Sequence, residues 1–183
     1  MRERLLVLDL DETLLHSVAL DEVSDKVLKK LKKKYLHFPV ERYICFLRPK
    51  AVEFLQWASK QFTLAIWTAA SPDYGFYILE TLFRKIANVT PAIIMTSDHT
   101  TLSEDVLGNH KDLSLVWQIL PQYNPGNTYM IDDHPGVKSA YPCNVYTIPV
   151  FNPIDPNVDR ELAIAKGHLV RSIRKPNKGC LLK

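Results

Sequence analysis

Polar and acidic residues stand directly behind short apolar runs in this chain, and that placement restricts the folds open to it more than any other feature. Leu5-Leu6-Val7-Leu8 leads into Asp9-Leu10-Asp11-Glu12-Thr13, Phe62 to Trp67 into Thr68-Ala69-Ala70-Ser71, and Thr128 to Ile131 into Asp132-Asp133. Ala92 to Met95 and Val145 to Ile148 are two further runs of the same kind. Runs this short and this apolar suit strands buried on both faces. Between them the apolar residues take a helical period. Ala51, Phe54, Leu55 and Ala58 follow Arg48-Pro49, and Tyr74, Tyr77, Ile78 and Leu82 follow the cap-like Ser71-Pro72-Asp73. Leu113, Val116, Trp117 and Leu120 make a third stripe, and Val158, Leu162, Ala165, Leu169 and Ile173 a fourth. Strand and helix patterns in alternation predict an α/β fold, Rossmann-like, with a mainly parallel sheet flanked by helices.

In an open parallel sheet the ligand crevice lies outside the carboxyl ends of the strands. Asp9, Asp11, Thr68, Asp132 and Asp133 would therefore converge on one small volume. Clustered carboxylates repel one another unless a cation sits among them, and oxygen donors select a hard cation such as Mg²⁺. Asp9 and Asp11, two residues apart, project to the same side of an extended chain, which lets one attack while its neighbour moves a proton.

Two stretches depart from the alternation. Within residues 16–48, Tyr35 to Val40 and Arg42 to Leu47 read as a small antiparallel hairpin whose first strand is an edge because of Pro39. The polar segment Thr96 to His110 reads as a second flap over the strand ends. Lys26, Lys29, Lys30, Lys32, Lys33 and Lys34 alternate with Val27, Leu28 and Leu31 as a solvated helix face would; the other reading is an anion-binding rim.

With 183 residues, 46% of them hydrophobic, the chain can bury a core without help from disulfides or structural metal, which excludes disorder. It reads as a single domain to residue 173, followed by a basic tail, 174–183, held loosely. A net charge of +3 is too mild to imply nucleic-acid binding. The three cysteines, Cys45, Cys143 and Cys180, are an odd number without a CxxC pair, which argues against a disulfide scaffold and for a reducing interior, cytoplasmic or nuclear. No apolar run is long enough to span a membrane, so no membrane partner is expected. The motifs of serine hydrolases, P-loop kinases and dinucleotide enzymes are missing. Among the histidines only His134, beside Asp133, is placed to line the site.

Asp9-Leu10-Asp11-Glu12-Thr13-Leu14 resembles the first motif of the haloacid dehalogenase superfamily of phosphotransferases. Leu47-Arg48-Pro49, Glu53-Phe54-Leu55, Trp67-Thr68-Ala69-Ala70-Ser71, His110-Lys111-Asp112-Leu113-Ser114 and Ile131-Asp132-Asp133-His134-Pro135 extend the likeness to its FCP/SCP branch. These are the phosphatases of the RNA polymerase II C-terminal domain, also described as NLI-interacting-factor-like. The resemblance runs from about Leu5 to about Leu169.

It implies an Mg²⁺-dependent phosphoserine or phosphothreonine phosphatase working through an aspartyl-phosphate. Asp9 would be the nucleophile, and Asp11 the acid and then the base, with its backbone carbonyl on the metal. Thr68, with Ala69 beside it, and Lys111 would bind the phosphoryl oxygens. Asp133 would join Asp9 on the metal, with Asp132 as a second ligand or outer partner. The implied partner is a phosphorylated protein or peptide, the polymerase C-terminal repeat first. Two departures stand out: a longer loop, Leu120 to Gly126, and polar residues between Thr96 and His110 where the small phosphatases carry a hydrophobic insertion. The alternatives are a phosphatase of nucleic-acid ends or small phosphoesters, and a non-catalytic binding module of the same fold.

Overall fold

The computed structural model describes residues 2–155, 157–174 and 180–182. The chain enters through β1 (Leu5–Leu8), turns into β2 (Leu15–Ala19) and continues through helix α1 (Asp25–Lys34) to the hairpin β3 (His37–Val40) and β4 (Tyr43–Leu47). Helix α2 (Ala51–Gln61) leads to β5 (Thr63–Trp67), then to α3 (Pro72–Ile78), which runs on as π-helical turns over Leu79–Ala87. Strand β6 (Ile93–Met95), helices α4 (Ser97–Leu107) and α5 (Leu113–Ile119), strand β7 (Thr128–Asp132), helix α6 (Pro135–Ala140), strand β8 (Val145–Thr147) and helix α7 (Glu161–Arg174) complete it.

Five strands pair in the order β6-β5-β1-β7-β8, every pair parallel. The chain builds outward from β1 to one edge and returns to build outward to the other, so strand order reverses at β1 and β7. That is where an open sheet of this type opens its crevice. All four residues of β1 are buried and alternate between two cores. Leu6 and Leu8 pack with Leu64, Ile66, Ile131 and the Phe54–Leu55 face of α2. Leu5 and Val7 pack with Trp67, Met130, Leu113 and Val116. This period of two explains why an uninterrupted apolar run was needed here.

The flap is a three-stranded antiparallel sheet in the order β2-β4-β3, one strand more than the expected hairpin. Pro39 lies on β3, an edge as expected. Helix α1 rests on this sheet through Leu31, with Val27 and Leu28 half-buried beside it, and exposes its lysines.

Four expectations are corrected. Thr96 to His110 is not an irregular flap; it contains α4, capped by Thr96 and packed through buried Thr100 and Ser103. Trp67 Nε1 donates to Thr100 Oγ1 at 3.0 Å, so this helix is seated by hydrogen bonds that an apolar pattern does not register. Val158 is 77% exposed and precedes α7. Cys143 and Cys180 form a disulfide, which removes the cysteine argument for a reducing compartment. The tail is not loose at residues 180–182: Leu181 is buried in the main core and Leu182 N donates to Cys143 O at 2.8 Å. Residues 175–179 of that tail lie outside the described residues. Among the described residues no helix is long and apolar enough to cross a membrane.

Candidate active site

Asp9 is the first residue past β1, and its backbone N–H donates to Ile131 O of β7 at 3.1 Å, fixing it at the strand-order reversal. The chain then turns sharply. Leu14 N donates to Leu10 O at 2.8 Å, and Glu12 adopts φ 58°, a left-handed conformation that non-glycine residues seldom take. The turn returns the chain into β2 and leaves Asp11 facing the flap and α3.

Lys111, immediately before α5, is buried between two carboxylates: its Nζ donates to Asp9 Oδ1 at 2.7 Å and to Asp132 Oδ2 at 2.8 Å. Burial lowers the proton affinity of this ammonium, but the charges of Asp9 and Asp132 outweigh it and hold Lys111 above its ordinary value. Asp132 accepts at both oxygens, the second from His134 N at 2.8 Å. Asp9 does not. Its Oδ2 is buried with no partner among the described residues, while burial, reinforced by Asp132 and opposed by Lys111, lifts the carboxyl to about 7.

Asp11 is gripped on both oxygens, by the Tyr74 hydroxyl at 2.6 Å on Oδ1 and the Thr68 hydroxyl at 3.3 Å on Oδ2. Burial again raises its pKa against these donors. Thr68, buried one residue beyond β5, is anchored by its N–H on Met95 O at 2.9 Å, and its Oγ1 accepts from Ala70 N at 3.0 Å. Ala69 is exposed between them. Asp133 is half-buried just past β7, its pKa raised by burial and then by Asp132. His134 caps α6, and its ring lies 4.9 Å from that of His110.

The predicted residues thus meet at one sheet edge: Asp9, Lys111 and Asp132 in direct contact, Asp11 and Thr68 hydrogen-bonded, Asp133 beside Asp132. Among the described residues no group of three His, Cys, Asp or Glu side chains stands ready to hold a metal. Mg²⁺ keeps several waters and takes one or two protein carboxylates plus a phosphate, so two carboxylates suffice. The orphaned Asp9 Oδ2 and the all-oxygen donor set fit such an ion.

A cavity of about 610 Å³ runs from Asp11 between the flap and α3, lined by Ser17, Val40, Tyr43, Tyr74 and Tyr77 among others. Tyr74 and Tyr77 lie on α3 as expected; Tyr74 also grips Asp11, and Tyr77 is 43% exposed. No local pattern could have paired Tyr74 with a carboxylate 63 positions away. Arg48 and Asp112 are structural anchors of the site, Arg48 through the carbonyls of Glu12 and Thr13 and Asp112 as the cap of α5.

Solved structures with this fold include fission yeast Fcp1, an RNA polymerase II C-terminal domain phosphatase, in a beryllium-fluoride-bound R271A form. It superposes with a TM-score of 0.59 at 17% identity over 81% of this chain and 42% of that one. Another Fcp1 structure gives a TM-score of 0.56 at 16% identity over 98% and 57%. The present chain therefore spans about half the length of those Fcp1 chains. Among curated proteins, the CTD phosphatase-like protein 355R of Invertebrate iridescent virus 3 is 31% identical over 90% of this chain and 93% of its own length. Its counterpart from Invertebrate iridescent virus 6 is 29% identical over 91% and 97%. Residues 4–178 match the NLI interacting factor-like phosphatase family, and with the parallel sheet and motif order described above the chain belongs to that family.

Proposed function

We propose that this protein is an Mg²⁺-dependent phosphatase of phosphoserine or phosphothreonine in proteins. One observation carries the reading: a buried carboxylate, Asp9, has one oxygen held by Lys111 and the other free, two residues from a second carboxylate, Asp11, whose proton affinity is raised by burial. Lys111 orients Asp9 and offsets the negative charge of an incoming phosphoryl group. Asp9 attacks phosphorus in line, the bond to the leaving oxygen breaks, and Asp11 delivers its proton to that oxygen. Asp11 then takes a proton from the water that hydrolyses the aspartyl-phosphate. The Thr68 hydroxyl and the backbone N–H of Ala69 are suited to hold phosphoryl oxygens, the Thr68 N–H being engaged by Met95 O.

Asp9 and Asp133, with the Asp11 carbonyl, would hold the metal, which would neutralise the repulsion between carboxylate and phosphate dianion. Asp132 is better suited to orienting Lys111, since both its oxygens are engaged. The polymerase C-terminal repeat is the first substrate to try, because the relatives' names point to it and the cavity beside Asp11 has room for peptide residues flanking the phosphate.

Turnover of a phosphoserine repeat peptide with Mg²⁺, compared with a 3′-phosphorylated oligonucleotide, tests the reading. Peptide turnover lost on chelation and in Asp9→Asn supports it. Full activity of Asp9→Asn, or preference for the oligonucleotide, overturns it.

A further inference from the structure

The hydroxyl of Tyr74 carries one proton, and its 2.6 Å contact with Asp11 Oδ1 has the length of a charge-assisted O–H···O⁻ bond. Oδ1 accepts whether Asp11 is ionised or carries a proton on Oδ2, so the Tyr74 proton is committed to Asp11. Ser17 Oγ lies 2.8 Å from the Tyr74 oxygen and must therefore donate to it. Its own proton spent, Ser17 accepts from the Cys45 thiol 2.9 Å away. Hydrogen bonding thus runs in one direction, Cys45 to Ser17 to Tyr74 to Asp11. Ser17 and Cys45 are register partners across β2 and β4, and Tyr74 sits in the first turn of α3 behind its Ser71 cap, so three rigid elements hold the chain of bonds in place.

The other oxygen is held more weakly. Thr68 Oγ1 stands 3.3 Å from Asp11 Oδ2, and the same hydroxyl is the proposed phosphoryl donor. We infer that Tyr74 is the positioning residue of Asp11: it keeps Oδ1 fixed so that Oδ2, released when the Thr68 hydroxyl turns to the phosphate, is the atom that gives and takes the proton. This rests on the role proposed for Asp11. In the first half-reaction the proton on Oδ2 passes to the leaving oxygen as the phosphorus–oxygen bond breaks, and Asp11 becomes a carboxylate. In the second, Oδ2 takes a proton from the attacking water as phosphorus is released from Asp9.

The test uses kcat/KM, which reports only the steps up to departure of the leaving group, on two substrates of the full chain. A phosphoserine peptide needs its leaving oxygen protonated; a dinitrophenyl phosphate does not. Tyr74→Phe keeps the ring and deletes the donor. It is expected to lower kcat/KM for the peptide by about tenfold, the worth of one charge-assisted hydrogen bond, chiefly through kcat rather than KM, and to leave the aryl phosphate within about threefold. Asp11→Asn should show the same selectivity with a larger loss, on the order of a hundredfold. Ser17→Ala, one link further back, should lose about threefold on the peptide alone, and keeps the question decidable if Tyr74→Phe does not fold. Equal losses on both substrates in Tyr74→Phe, or no loss while Asp11→Asn remains selective, overturn the positioning role and spare the phosphatase reading. Absence of selectivity in Asp11→Asn overturns the acid role itself, and the inference with it.

Discussion

The Arg48 guanidinium meets the Asp159 carboxylate across 111 residues of chain, with Nε 3.1 and 3.0 Å from its two oxygens and Nη2 2.9 Å from Oδ2. Arg48 is 1% exposed, and its remaining donors reach the carbonyls of Glu12 and Thr13 at 3.2 and 3.1 Å and of Pro149 at 2.6 Å. Those first two carbonyls belong to the turn that carries the chain from Asp11 into β2. Arg48 is thus a clamp on the turn that aims Asp11, tied at its far side to the approach to α7.

Arg48→Met keeps much of the side chain's length and removes the charge, leaving the Asp159 carboxylate without its cation and Thr13 O without its donor, while Glu12 O keeps only Phe151 N–H. A loss of about 3–5 kcal/mol is expected, read as a lower urea midpoint with an unchanged slope. Asp159→Asn should cost less because that carboxylate keeps some contact with water. An Arg48→Met variant as stable as the parent would contradict the clamp.

Stability of the metal-free protein should fall as pH rises from about 4 to about 7. Asp9 is lifted to about 7 from 3.8, first by burial and then by Asp132, and Asp11 and Asp133 are raised with burial leading in each. A carboxyl with a raised folded-state pKa stabilises fully below its unfolded value and loses that contribution as pH passes through the folded value. Melting temperature followed in chelator should therefore drop across this window, and Asp9→Asn should flatten the slope. A rising parent profile, or an unchanged slope in the variant, would count against a buried, metal-free Asp9 of raised pKa.

Asp112 titrates in the opposite sense. It caps α5 through Ser114 N at 2.9 Å and accepts from Asn109 Nδ2 at 2.7 Å and from the Tyr141 hydroxyl. Burial works against its charge, but these donors prevail and hold the carboxyl below its ordinary value. Its contribution is present above pH 3.8 and is lost as pH falls through the lower folded value. Asp112→Ala should cost about 2 kcal/mol at neutral pH and much less near pH 2, by urea unfolding at both. Because Asp112 follows Lys111 directly, kcat should fall as well. A cost independent of pH would show that the lost cap acts through its shape alone.

The central sheet and the carboxylates were legible because they rest on local chemistry: a strand buried on both faces must be apolar, and the polar residues ending it must face the crevice. Asp9, Asp11, Thr68 and Asp132 could be read that way, and Lys111 only through the motif it shares with the family it resembles. Helix α4 could not, since Thr96, Thr100 and Ser103 keep helical spacing but seat the helix by hydrogen bonds. Strand β2 was hidden in the motif's own tail, where Leu15 and Val18 give no clean alternation. Tyr74, Arg48 and the partner of Cys143 depend on contacts between distant parts of the chain, which no window along the sequence contains.

That last contact yields a test of its own. Cys143 and Cys180 are 37 residues apart and bonded, and the bond draws Leu181 into the main core beside α7, where Ser172 Oγ donates to Leu181 O. Cys143 lies just before β8, so the bond sits at the amino-terminal edge of the parallel sheet, opposite the edge that bears Asp9 and Lys111. Closing a loop of this length stabilises by about 3–4 kcal/mol in the chain-entropy account. Alkylation of the unfolded, unreduced protein should modify Cys45 alone, the one free cysteine. After reduction all three should react. Cys180→Ser should lower the melting temperature yet leave kcat and KM for an aryl phosphate unchanged, because the site is assembled at the other end of the strands. Three reactive thiols without reductant would remove the bond, and a fall in kcat without loss of stability would mean that the two edges of the sheet are coupled.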